Sequence, residues 1–127
     1  MSHDDPRADP LTQLKWSLQA LALPYQAQRG LFPSFAITAD ELVLDFDHWF
    51  ETAKSQQIFT AEQQAALASV ADLLSTMTGE RDPTLWTDSA LAHLPRWQEV
   101  RERAHEALRA FQCSLETPPP GRAIFVQ

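Results

Sequence analysis

The chain has 127 residues, 44% hydrophobic and 21% charged, with a formal net charge of −7. That is the size and composition of one globular domain, long enough to bury a core without staples. The single cysteine, Cys113, excludes an internal disulfide and a cysteine-rich zinc site, and the acidic balance argues against nucleic-acid binding, which depends on lysine and arginine.

The predicted elements are helical. Met1–Pro10 is polar and acidic, unlike a targeting segment, and residues 1–9 are expected to be flexible. Asp9 is placed to cap a first helix with Pro10 at its first position. Leu11, Leu14, Leu18 and Leu21 follow at helical spacing until Pro24. Trp16 and Leu23 point the other way, so this helix is expected to be buried on two sides. Tyr25–Ile37 has no clear period and reads as a connection packed down by its own aromatics.

Thr38 and Glu41 have the spacing of a capping box. The second helix, running to Lys54, carries Leu42, Phe46, Trp49 and Ala53 on one face, flanked by Val43 and Phe50. Thr60 and Gln63 repeat the box ahead of Leu67, Val70, Leu74 and Met77, with Gly79 as the expected left-handed terminator. Asp82-Pro83 signals a turn. Thr87 is placed to cap a short helix through Leu91. Pro95 opens a last helix with Trp97, Val100, Ala104, Leu108 and Phe111 on one side.

Pro118, Pro119, Pro120 and Gly121 cannot continue that helix, so residues 117–127 read as an extended Pro-rich tail. Its β-prone end, Ala123–Val126, is expected either to pair with Phe35–Ile37 or to lie in a groove between helices. The fold class expected is all-α: one domain over 1–127, a compact bundle of about four main helices plus one short helix, with an extended C-terminal tail. No apolar run approaches the roughly eighteen residues of a membrane span. A cytoplasmic protein without membrane partners is therefore expected.

Charge is concentrated in the middle. Gly30–Leu94 holds ten carboxylates against two bases, Lys54 and Arg81, and five of the acids lie on the second helix. Like charges at one-turn spacing cost a few tenths of a kcal/mol each. Asp40 and Glu41 complement the helix dipole, but the whole set exceeds that need. At about 100° per residue, Glu41, Asp45, His48 and Thr52 are expected on the outward half, with Glu51 and Leu44 beside them and Asp40 and Asp47 on the other flank.

Catalytic signatures are weak. Asp45/His48 and Glu102/His105 have a carboxylate-x-x-His spacing found in di-metal bundles. The wheel turns His48 away from the core, however, and the first helix has no Asp or Glu. No metal ligands and no cofactor are assigned. Cys113 has no adjacent His, and three glycines cannot form a phosphate loop. The arginines of the last helix, Arg96, Arg101, Arg103 and Arg109, alternate with glutamates and read as a salt-bridged surface.

The preferred expectation is an acidic helical interaction module, not an enzyme, that binds or inhibits a basic protein partner. Asp40, Glu41, Asp45, Asp47, His48 and Glu51 would form its contact face, with Trp49, Phe50 and Trp86 as rim anchors. Small helical immunity proteins that block basic nuclease toxins are an analogy of size, charge and fold class, with no residue motif behind it. The alternative is a small-ligand or metal-binding helical protein, with enzymatic activity as one form of it, whose site between helices would use His48, His93 and His105 with nearby carboxylates.

Overall fold

Apolar stripes at helical spacing decide the architecture. In the computed structural model, which describes residues 10–32, 37–55 and 59–112, all regular structure is helical. The helices are α1 (Pro10–Ala22), α2 (Tyr25–Gly30), α3 (Thr38–Lys54), α4 (Ala61–Gly79), α5 (Asp88–His93) and α6 (Pro95–Ala110), with a 3-10 turn at Pro83–Trp86. Cys113, the 117–127 tail and Phe35 lie outside the described residues, as do the expectations made for them.

Helix α1 packs against both α3 and α6, and α4 packs against α6. Burial of α1 on two sides follows, with Leu14, Leu18, Leu21, Ala22 and Leu23 all buried. Phe46, Val70, Leu74, Met77, Trp97 and Leu108 join Leu14, Leu18, Leu21 and Ala22 in one continuous apolar cluster. The rings of Phe46 and Phe50 stack with centroids 5.4 Å apart. Trp97, fully buried, donates its indole N–H to Leu85 O at 2.7 Å, so its polar edge is satisfied.

Helix ends follow local chemistry, with two corrections. Thr60 and Gln63 form the reciprocal capping box, at 3.0 and 3.1 Å. Thr87 accepts from Ala90 N–H, and Asp82 accepts from Thr84 at the 3-10 turn. The box expected at Thr38 does not form. Ile37 takes the extended cap position, and its carbonyl accepts the Glu41 N–H, which carries Thr38 into the helix and into the interior. At the end of α4 the left-handed residue is Arg81, with φ 54°, not Gly79, which remains helical.

The Tyr25–Ile37 connection also differs from expectation, because Tyr25–Gly30 forms a helix. Its one buried side chain is polar. Gln28 Nε2 donates to Ala20 O and Leu21 O, both at 3.0 Å, capping carbonyls of the last turn of α1.

Candidate functional site

Helices α3 and α4 barely approach each other, because each is held through other elements, α3 by α1 and α4 by α6. The space between them is an open groove. One part has a volume of about 750 Å³ and reaches from Lys54 and Gln64 to Thr78 and Gly79. A second part, of about 390 Å³, adjoins it at Val43, Asp47 and Thr78 and ends at Asp40, Leu44 and Trp86. From Asp40 to Lys54 the groove is about 21 Å long at 1.5 Å per residue.

Its walls come from helical period. On α3, Asp40, Val43, Asp47, Phe50, Glu51 and Lys54 recur at three- and four-residue steps along one face. On α4 the matching stripe is Gln64, Ala68, Ala71, Ser75 and Thr78, with Asp72 beside it. Buried Val43, Phe50 and Leu74 form the floor. Small side chains on α4 leave the space that larger ones would fill. Leu44, 53% exposed, and half-buried Trp86 stand at one end.

The rim is acidic. Asp40, Asp47, Glu51 and Asp72 line the groove, and Lys54 is the one base among the lining residues described. Its Nζ lies 3.2 Å from Glu51 and 4.8 Å from the centre of the Phe50 ring. Burial raises the Asp47 pKa above the usual aspartate value, and the charge of Glu51 adds to the shift. Glu41, on the neighbouring flank, is raised by burial first and by Asp40 and Asp45 after it.

The six residues expected at the contact face therefore divide. Asp40, Asp47 and Glu51 share the groove. Glu41, half-buried, and His48, exposed, lie on the adjoining flank, where the His48 ring meets Trp49 edge-on at 4.4 Å. Asp45 is a correction: it is 2% exposed and does not face outward. It stands about 80° from the centre of the apolar arc, on the same side of α3 as buried Thr38, and the arc is wide enough to take it in. Among the rim aromatics, Phe50 belongs to the floor and Trp86 to the end of the groove.

Sequence reasoning missed the α4 wall, and it placed Leu44 on the outward half of α3 without giving it a role. The stripe of Ala and Ser was visible in the spacing, but which helix it faces is a tertiary fact. It also misplaced Arg101, which is 7% exposed and bonded inside the molecule. Arg96, Arg103 and Arg109 do pair at the surface, with Glu80, Glu99 and Glu106. Among the described residues no three His, Cys, Asp or Glu side chains gather as a metal site, and no helix is long and apolar enough to cross a membrane. Comparison with protein-family models, curated proteins and solved structures finds no significant match.

Proposed function

We propose that the protein is a binding module whose α3–α4 groove receives a cationic amphipathic helix of a basic protein partner. The observation that carries this reading is the combination of an apolar floor with an acidic rim. Val43, Phe50 and Leu74 offer apolar area, while Asp40, Asp47, Glu51 and Asp72 face a single lysine already held by Glu51. A helix lying in a groove presents anchors at helical spacing to such a floor. Its lysines and arginines would then meet the rim.

The two features divide the work. The carboxylates steer encounter and set register, an effect that weakens as salt rises. Leu44, Phe50 and Trp86 supply the apolar anchors on which affinity depends. A partner whose own working surface is basic would be blocked while it is engaged. Asp45, being buried, has no part in the contact.

The test uses a synthetic amphipathic helix of about fourteen residues, the length of the groove at 1.5 Å per residue, made of Leu and Lys. A matched Leu/Glu peptide is the control. We expect the Lys peptide alone to bind, with affinity falling as salt rises. Asp40→Asn, Asp47→Asn and Glu51→Gln together should flatten that salt dependence, and Ser75→Trp, which fills the groove from an exposed position, should abolish binding. Equal binding of both peptides, or indifference to Ser75→Trp, would remove the proposal.

A further inference from the structure

Where α1, α2, α5 and α6 meet, a positive charge is buried with no carboxylate paired to it among the described residues. Arg101 on α6 donates from Nε to Leu23 O at 3.0 Å and from Nη2 to Leu91 O at 2.6 Å and Gln28 Oε1 at 3.0 Å. All three acceptors are neutral, and no carboxylate among the described residues pairs with it. A buried ion without a counter-ion is costly even after relaxation. The carbonyls at the end of α1 offset part of that cost, because a helix C-terminus carries partial negative charge. They do not neutralise it.

One donor remains unused. Nη1 takes none of these bonds, yet it is not sealed from solvent. Arg101 lines a pocket of about 310 Å³ with Tyr25, Gln98 and His105, closed on its apolar side by Ala22, Pro24 and Ala92. Every polar side chain of that lining has an N–H or O–H to donate. None is a carboxylate; Glu99 and Glu102 line an adjoining cleft that shares Ala92, Gln98 and Arg101 with this pocket, but neither forms an ion pair with Arg101. The volume is at the lower end of small-molecule sites, which combine apolar walls with a few convergent polar groups.

We propose that this pocket, at the junction of α1, α2, α5 and α6, binds a small organic carboxylate with an apolar body. The carboxylate takes Nη1 of Arg101 and the donors of Tyr25, Gln98 and His105, while the body lies against Ala22, Pro24 and Ala92. The anion supplies the counter-charge that the described residues do not. Nothing in this site depends on the α3–α4 groove.

The experiment titrates the full chain with benzoate, and separately with uncharged benzamide, at fixed ionic strength. The side-chain resonances of Arg101 and the ring resonances of His105 are followed by NMR. Benzoate should produce saturable shifts at both residues, and benzamide none. Tyr25→Phe and His105→Leu remove a donor from side chains that are only partly buried, so the fold is retained and can be checked by circular dichroism. Each should weaken benzoate about tenfold, the size of one hydrogen bond to a charged group. Shifts that do not saturate, benzamide matching benzoate, or an affinity unchanged in both variants would each overturn the site.

Discussion

Gln28 and Arg101 are joined by a hydrogen bond of 3.0 Å between residues 73 positions apart, Nη2 to Oε1. The same amide turns its Nε2 to Ala20 O and Leu21 O, and the guanidinium reaches Leu23 O. Together they satisfy carbonyls at the end of α1 and tie α1, α2, α5 and α6 into one corner. Helix α2 is short and buries only Gln28, so this polar core is a principal tie, beside the packing of Tyr25 on the apolar core and the Arg29–Asp88 ion pair.

Removing either side chain should therefore be expensive. Gln28→Leu leaves Leu21 O and one guanidinium donor without these partners, while Ala20 O keeps the Leu23 N–H at 3.4 Å. At about 1–3 kcal/mol for each unsatisfied buried group, we expect a loss of roughly 3 kcal/mol or more in urea unfolding. Arg101→Met should cost a similar amount. Because the two share a network, the double variant should lose clearly less than the sum. Full additivity would show that the two side chains act separately.

The end of α4 makes an opposite prediction. Arg81 holds φ 54°, a region that costs a residue with a Cβ about 1 kcal/mol. Gly79 is helical and open, and a Cβ there would meet nothing within 4 Å. Arg81→Gly and Gly79→Ala should each stabilise the protein by about 0.5–1 kcal/mol, the first by relieving strain and the second by removing unfolded-state freedom. Thermal unfolding of the single variants checks both. Loss of stability in Gly79→Ala would mean that Gly79 is not helical in solution.

Periodic stripes made most of this fold legible. Leu14, Leu18, Phe46, Leu67, Val70, Trp97 and Leu108 are buried as their spacing indicates, because an apolar face must find a partner whatever the topology. What stayed hidden depends on polar groups and on which helices meet. Helix α2 is organised by a glutamine, which carries no periodic signal. Asp45 lies at the edge of an arc whose width is set by the elements around α3, and a wheel drawn for one helix does not contain that width. Arg101 sits in a series of surface arginines, and only the convergence of Leu23, Gln28 and Leu91 distinguishes it. The candidate groove was half legible for the same reason: its acidic wall is local sequence, and its α4 wall is not.

Asp47 provides a pH test of the groove. Its pKa is raised in the folded chain, by burial first and by Glu51 second, from the ordinary 3.8. The folded protein therefore keeps this proton to a higher pH than the unfolded chain does. Its contribution to stability is complete below 3.8 and is lost as pH rises through the raised value, then stays constant. Glu41 acts in the same sense from 4.5. Asp82, lowered by the hydroxyl and then the N–H of Thr84, acts in the opposite sense: its contribution is lost as pH falls through its lowered pKa. Asp47→Asn should remove its share of the decline above 3.8 in urea unfolding measured against pH. Binding of the Lys peptide should strengthen through the same window, since the ionised carboxylate is the form a cation favours. A peptide affinity that is flat there would separate Asp47 from the contact.

Two threonines with the same local motif should respond in opposite directions. Thr60 accepts the Gln63 N–H at 3.1 Å and is exposed, so Thr60→Ala removes a cap and should cost about 1 kcal/mol. Thr38 is fully buried in the first turn of α3, and its hydroxyl has no hydrogen-bond partner among the described residues. A hydroxyl withdrawn from water without a partner costs about 1–3 kcal/mol. Thr38→Val keeps the branched shape and removes that penalty, and should raise stability by about 1 kcal/mol or more. Urea midpoints at unchanged slope decide both cases. If Thr38→Val were destabilising instead, the hydroxyl would have a partner in solution. The start of α3, and with it the placement of Asp40 at the end of the groove, would then depend on that bond.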